Sequence, residues 1–206
     1  MSAPEYWQRA KRSLARRDPV LAGIIRAHPR IALARRGEPF ATLARAIVGQ
    51  QISVRAAQAV WARFVVAAPA LTPEAVCRLR KPRLRACGLS ERKAEYIGDL
   101  ARHFVAGRVH VDRWSEMDDE SIIAELVDVR GIGRWTAEMF LMFNLLRPDV
   151  FPVDDLGLKK AVCLHYGDGA SLTVAEIRAI GAAWAPWRSV ATWYLWRSLE
   201  AKPQDY

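Results

Sequence analysis

Cysteine is scarce in this sequence, and long apolar runs are missing from it. The three cysteines among 206 residues, Cys77, Cys87 and Cys163, are too few and too widely spaced for a disulfide framework, a zinc site or an iron–sulfur cluster. The four histidines lack metal-ligand spacing. No stretch approaches the roughly 20 apolar residues of a membrane span, and the N-terminus has no apolar segment typical of a secretion signal. We therefore expect a cytoplasmic protein with free thiols and no membrane association.

Known nucleotide-binding and hydrolase motifs are also missing, because the chain has no P-loop, no dinucleotide fingerprint and no nucleophile elbow. What it has instead is an uneven charge. Residues 1–110 contain 21 Lys and Arg against 7 Asp and Glu, a net charge of +14, whereas residues 111–206 contain 10 against 15, a net charge of −5. A basic half is typical of proteins that bind a polyanion. Charge alone does not distinguish DNA from RNA, from an anionic membrane or from a solvated basic face.

Helical patterns cover nearly the whole chain, and no strand pattern is convincing. Apolar residues recur at helical spacing across a break at residues 49–53: Leu43, Ile47, Val54, Ala57, Val60, Trp61 and Phe64. The predicted helix starts are Thr72, Ser90, Asp118 or Asp119, the capping box at Thr173, and Pro186 for the last helix. We expect Ile122, Ile123, Leu126 and Val127 to face inward. The sequence predicts an all-α fold of many short helices joined by short loops.

The most specific segment is residues 126–137, in which Gly131 and Gly133 lie between two helical patterns. This spacing allows a tight hairpin whose backbone N–H groups, at the start of a new helix, can bind a phosphate. A Gly-x-Gly pair by itself more often marks an ordinary corner between two helices, so the flanking residues decide between the two interpretations.

Two adjacent carboxylates, Asp154 and Asp155, follow the second helix of this hairpin after about one short loop. Adjacent carboxylates cannot both be buried and ionised cheaply. We therefore expect one of them to point into a site and the other to cap the helix that begins near Leu156. For Asp155, a plain helix cap is the alternative.

Together these residues resemble the helix-hairpin-helix DNA glycosylases, and the 3-methyladenine DNA glycosylase II branch in particular. Residues 49–53, 88–94 and 184–189 match that branch, and the similarity extends from about residue 40 to residue 197. Arg130 stands where the family usually has Pro. The mixed α/β N-terminal domain of some members is missing, which implies a compact form of the enzyme.

The resemblance implies a two-lobed helical fold with the active-site cleft between the lobes. One lobe would comprise about residues 40–148, including the hairpin at 126–137, and the other about residues 1–39 and 149–206. Asp155 would be catalytic, and the base pocket would be formed by Trp135, Trp196, Trp187 and Met139. The remaining candidates Trp61, Trp184 and Trp193 are assigned to the core.

The family's DNA contacts map onto the two loops. The residues implied to bind DNA are Gln50, Gln51, Ile52, Ser53, Gly131, Gly133, Arg134 and Thr136. Among them Ile52 would fill the gap left by a flipped base, although an Ile packed on the core is the alternative. The backbone carbonyls of Val127, Val129 and Ile132 would bind a structural monovalent cation, Na⁺ or K⁺, and no other cofactor is required.

The implied function is excision of alkylated bases such as 3-methyladenine and 7-methylguanine from double-stranded DNA. As the glycosidic bond breaks, Asp155 would stabilise the oxocarbenium-like sugar or activate water. Trp135 stands where bifunctional relatives have Lys, and a Schiff-base step needs an amine. We expect a monofunctional enzyme that leaves an abasic site and needs no obligate protein partner. The alternatives are a glycosylase for oxidised or deaminated bases and a non-catalytic helix-hairpin-helix DNA-binding protein.

Overall fold

The computed structural model of the protein describes residues 3–68, 70–168 and 170–200. These residues form twelve α-helices and one short 3-10 helix, and none of them lies in a strand. The predicted all-α fold is confirmed. None of the helices in these ranges combines the length and the apolar character that crossing a membrane requires.

The helices are short and follow one another closely. In chain order they are α1 (Trp7–Arg17), α2 (Pro19–Ala27), α3 (Pro39–Gly49), α4 (Val54–Ala67), α5 (Pro73–Cys77), α6 (Lys81–Ala86), α7 (Glu91–Val105), α8 (Asp119–Val127), α9 (Arg134–Phe143), α10 (Leu156–Tyr166), α11 (Val174–Ala182) and α12 (Arg188–Ser198), with the 3-10 helix at Val111–Arg113.

The chain divides into two compact units, which we call the terminal unit and the central unit. The terminal unit combines Met1–Arg35 with Leu141–Tyr206 and contains α1, α2, α10, α11 and α12. The central unit, Arg36–Phe140, contains α3 to α8 and most of α9. Both boundaries lie several residues before the predicted ones.

In the terminal unit, the half-buried carboxylate of Asp18 joins three segments of the chain. Asp18 caps α2 by accepting a hydrogen bond from the backbone N–H of Leu21 (2.9 Å). Its other oxygen accepts from the hydroxyl of Tyr166 (2.8 Å) and the indole N–H of Trp184 (2.9 Å). Burial, with the nearby Asp18 carboxylate, raises the pKa of Tyr166. These bonds connect α2, α10 and the loop before α12 around the aromatic core of this unit.

The central unit is organised around α7, which has 15 residues. The Ser90 hydroxyl caps this helix by accepting from the Lys93 N–H (3.3 Å). The inward stripe of this helix consists of Ile97, Leu100 and Ala101, which are all 0% exposed. Burial of this stripe against α3, α5 and α6 supplies most of the helix stability, since short helices are marginal alone.

The local start signals are largely confirmed, whereas one burial prediction is wrong. Thr72, Ser90, Asp118 and the Thr173 capping box all cap helices as predicted. Val127, which was predicted to face inward, is 43% exposed, because it is the last residue of α8 and lies next to a loop. Pro186 precedes the last helix by two residues, since α12 begins at Arg188.

Candidate functional site

The predicted hairpin is present in the central unit. Its first helix, α8, ends at Val127, and its second, α9, begins at Arg134. The turn between them is closed by a backbone hydrogen bond from the Ile132 N–H to the Val129 carbonyl (3.1 Å). Gly131 has a φ of +88°, which side chains rarely tolerate, and this explains the glycine. The hairpin therefore has the geometry that a phosphate-binding turn needs at the start of a helix.

Residues 50–53, which we call the wedge loop, join α3 to α4 in the same unit. Ile52 is 40% exposed, so the alternative of an Ile packed on the core does not hold. Gln51 is exposed and has a φ of +55°. The Gln50 side chain donates from Nε2 to the Gly131 carbonyl (2.8 Å), which ties this loop directly to the hairpin. The Ser53 hydroxyl accepts from the Ala56 N–H (3.3 Å) and so caps α4.

Three predicted residues on α9 have different environments. Trp135 is 50% exposed, and Met139, four residues later on the same helical face, is half-buried. Arg134 is already paired: it binds both carboxylate oxygens of Glu120 and donates from Nε to Glu138 (3.1 Å). These partners, Glu120 foremost, raise the pKa of Arg134. Arg134 is therefore held by two carboxylates in this structure, and its DNA contact stays a prediction.

The other predicted hairpin residues lie at the surface or partly below it. Gly133 is exposed, whereas Gly131 and Thr136 are half-buried. Val129 and Ile132 have buried side chains, and Val127 is the last residue of α8. The last carbonyls of a helix lack intrahelical partners, so the end of α8 offers oxygen ligands of the kind that a monovalent cation takes.

In the terminal unit, Asp155 is half-buried at the start of α10. Its Oδ1 accepts from the Leu158 N–H (2.7 Å), which makes it the helix cap, and from the indole N–H of Trp196 (2.7 Å). Asp154 is exposed and pairs with Lys159 (3.3 Å). The predicted division of roles between the two carboxylates is therefore wrong, because Asp155 is the cap and also the one held by an aromatic side chain.

An aromatic cluster of Phe143, Trp193 and Trp196 accompanies this carboxylate. The Phe143 and Trp196 rings are stacked with centroids 6.1 Å apart, and Trp193 meets both edge-on. Arg197 lies 4.2 Å above the Trp193 ring. The prediction placed Trp193 in the core and did not include Phe143, yet both flank the predicted pocket residue. Sequence spacing could have indicated Trp193, which precedes Trp196 by one helical turn.

Two further tryptophans belong to the core of the terminal unit. Trp184 is 1% exposed, as predicted. Trp187 is 8% exposed and stacks on Tyr6 with ring centroids 5.8 Å apart, and Arg9 lies 5.1 Å from its ring. The structure therefore corrects the assignment of Trp187 to the pocket wall, since its ring packs among core side chains.

Comparison with known proteins identifies the family. The sequence model described as "HhH-GPD superfamily base excision DNA repair protein" matches residues 44–186. The chain belongs to this superfamily. The matched range of this HhH-GPD protein contains the wedge loop, the hairpin and Asp155, whereas Trp196 lies beyond it.

Individual HhH-GPD relatives agree with this assignment. DNA-3-methyladenine glycosylase 1 of Schizosaccharomyces pombe is 34% identical over 173 residues, covering 82% of this chain and 75% of that protein. The crystal structure of a DNA-3-methyladenine glycosidase from Bacillus halodurans has a TM-score of 0.86 at 32% identity, covering 96% of this chain and 92% of that chain. The S. pombe glycosylase Mag1 in complex with abasic DNA has a TM-score of 0.80 at 29% identity, covering 92% and 96%. Against several other curated relatives, the chain spans about half of the relative's length. The predicted superfamily and the resemblance to 3-methyladenine glycosylases are confirmed.

Proposed function

We propose that this protein is a DNA glycosylase that hydrolyses the N-glycosidic bond of alkylated purines in double-stranded DNA. The observation that carries the proposal is the pair formed by Asp155 and Trp196, a carboxylate held at a helix N-terminus by an indole N–H within an aromatic cluster. Relatives that are named for the excision of 3-methyladenine support the choice of substrate.

The reaction needs a negative charge beside the sugar. When the bond between C1′ and the base nitrogen breaks, its electron pair leaves with the base, and C1′ becomes positively charged. The Asp155 carboxylate stabilises that charge, and a water molecule then bonds to C1′ while its proton passes to the carboxylate or to solvent. The backbone N–H at the start of α10 and the Trp196 N–H hold the carboxylate in this position.

The aromatic cluster accounts for the choice of alkylated bases. N-alkylated purines carry a positive charge, and the electron-rich faces of Trp196 and its neighbours attract a cation more than a neutral base. The same charge weakens the glycosidic bond, because the departing base becomes neutral. A pocket of this kind needs few hydrogen bonds to select its substrate.

The enzyme is proposed to stop at the abasic site. Cleavage of the DNA strand through a Schiff base requires an amine nucleophile, and Trp135 occupies the hairpin position that has Lys in bifunctional relatives. A strand that remains whole after base release and breaks only after alkali treatment would support this proposal. Strand breakage without alkali would contradict it.

The hairpin and the wedge loop are proposed to bind the DNA backbone and the vacated base stack. Gly131, Gly133 and Thr136 would present backbone and side-chain donors to a phosphate, with Gln50, Gln51 and Ser53 beside Ile52 in the wedge loop. A Na⁺ or K⁺ ion bound by the carbonyls of Val127, Val129 and Ile132 would add positive charge where the phosphate lies.

Release of free bases from alkylated DNA tests the proposal. We would incubate the protein with methylated duplex DNA and separate the released bases by chromatography. Free 3-methyladenine or 7-methylguanine from the wild type, and none from Asp155→Asn, supports it. If neither protein releases a base while DNA binding persists, a panel of oxidised and deaminated bases follows. Binding without release from any of them would identify a non-catalytic protein.

A further inference from the structure

The contacts that fix the wedge loop and the hairpin converge on one helix of the central unit. Lys93, Tyr96, Asp99 and His103 follow one another at intervals of three or four residues on α7 and therefore share a face. Each contacts one of the two loops or the end of a helix that leads into it. None of these residues was predicted to take part in the site.

Lys93 holds the start of the wedge loop. Its ammonium group donates to the backbone carbonyls of Val48 (2.8 Å) and Gln50 (2.6 Å) at the C-terminal end of α3. The positive charge of Lys93 is favourable at the C-terminus of α3, where the helix dipole is negative. It is unfavourable in the first turn of α7, where Lys93 itself lies and the dipole is positive. Burial also lowers the pKa of Lys93. The two carbonyls that it binds offset the costs of this placement.

The same face of α7 fixes the hairpin turn. A Cβ added to Gly131 would lie 2.2 Å from Cδ2 of Tyr96, so the tyrosine ring packs directly on the glycine backbone. The Arg130 N–H donates to Oδ2 of Asp99 (3.0 Å). Burial would raise the pKa of Asp99, but the hydrogen bonds from Arg130 and Arg102 lower it below its usual value.

Two further bonds complete the connection. The imidazole of His103 bridges the Asp99 carbonyl (2.9 Å) and Oδ2 of Asp128 (3.1 Å), the residue that caps the C-terminus of α8. The Gln50 side chain joins the wedge loop to the hairpin through the Gly131 carbonyl (2.8 Å). The separation of the two loops is therefore fixed both through α7 and directly.

We infer that α7 sets the distance between the wedge loop and the hairpin, and that Lys93 is a positioning residue for insertion of Ile52 into the DNA stack. This inference rests on the proposed function. A flipped base leaves a gap that the wedge must enter while the hairpin holds the backbone, so the spacing of the two loops decides whether insertion and grip occur together. Loss of Lys93 would leave the loop present but misplaced.

Substrates that differ only in the cost of flipping test the inference. One duplex carries 7-methylguanine opposite cytosine, and the other carries it opposite an abasic-site analogue, where unpairing costs little. We expect Lys93→Met to lower the single-turnover rate on the paired lesion about tenfold and on the unpaired lesion by less than about threefold. Lys93→Arg, which keeps donors for both carbonyls, should restore most of the rate.

Lys81→Met is the matched control. Lys81 forms ion pairs with Glu91 and Glu95, both of which lie on α7. Its ion pairs do not involve the wedge loop. This variant removes the same charge and should keep the wild-type ratio of the two rates. Equal losses on both duplexes for Lys93→Met, or no loss on either, would overturn the inference.

A second measurement separates this inference from the proposed function. If the wild type releases no base from either duplex, the proposed function fails, and the fluorescence of 2-aminopurine placed beside the lesion then reports loop insertion directly. A rise in fluorescence on binding of the wild type, and a smaller rise with Lys93→Met at equal saturation, supports the role of Lys93. An identical rise with both proteins overturns it.

Discussion

The indole N–H of Trp196 donates a 2.7 Å hydrogen bond to the same Asp155 oxygen that caps α10. Gly157 makes room for this approach, because a Cβ there would lie 3.1 Å from both Oδ1 of Asp155 and Cδ1 of Trp196. The helix cap and the aromatic cluster are thus parts of one arrangement, in which a structural hydrogen bond and an indole together orient the carboxylate.

Asp155→Asn separates the capping role from the catalytic one. Asn is about as good a helix cap as Asp, so we expect little change in Tm, whereas the loss of the charge should lower the excision rate by about 10²-fold or more. DNA affinity should persist. Asp154→Asn is the control, because this exposed neighbour pairs only with Lys159 among its described ion pairs and should leave excision near the wild-type rate. Similar rates for the two variants would contradict a catalytic Asp155.

Trp196→Phe removes the indole N–H but keeps an aromatic ring. A hydrogen bond to a charged group contributes about 1.5–3 kcal/mol, so we expect the single-turnover rate to fall about tenfold or more. Trp184→Phe removes the equivalent bond to Asp18 in the core of the same unit. It should lower Tm and leave the rate per folded molecule unchanged. If both variants lose Tm and neither loses rate, Trp196 does not orient the carboxylate.

Gly131→Ala tests the tight packing beneath the hairpin. A left-handed backbone costs a non-glycine residue about 1–3 kcal/mol, and at this position the new Cβ would also collide with Tyr96. Gly107→Ala is the control, since Gly107 also has a positive φ, of +66°, with no atom within 4 Å of an added Cβ. Denaturant titration should therefore show a larger loss of unfolding free energy for Gly131→Ala. Equal losses would mean that Tyr96 moves away at no cost.

The salt dependence of DNA binding tests the electrostatic role of the central unit. The logarithm of affinity falls with the logarithm of salt concentration by about 0.9 for each neutralised phosphate. Arg55 is exposed in the first turn of α4, next to the wedge loop. We expect Arg55→Gln to reduce this slope by about 1. Lys81→Gln, whose charge Glu91 and Glu95 already balance, should leave the slope unchanged. If the affinity of the wild type for DNA does not change with salt concentration, the basic residues of the segment 1–110 do not form the DNA-binding surface.

Features that depend on a few neighbouring residues were predicted well from the sequence. The caps at Ser90 and Thr173 were found because a hydroxyl binds an N–H group only three residues away. The hairpin was predicted from its two closely spaced glycines together with the flanking residues that resemble the family's hairpin. The exposure of Val127 was missed, because helical spacing shows which residues share a face but not where the surrounding helices end.

The roles of individual aromatic residues were predicted less well. Trp187 was predicted to belong to the pocket wall, yet it is buried in the core of the terminal unit and stacks on Tyr6. Whether such a ring is covered depends on partners such as Tyr6, which lies at the other end of the chain. No local pattern carries that information.

The sequence by itself determined the helical class, most of the helix caps and the hairpin between α8 and α9. Each of these follows from backbone preferences and spacing within about one or two helical turns. Only the tertiary structure decided that Trp196 binds Asp155 across 41 positions and that Lys93 binds the Val48 carbonyl across 45. Such bonds form because packing of the apolar faces brings distant segments together, and the same packing fixes which polar groups must then pair.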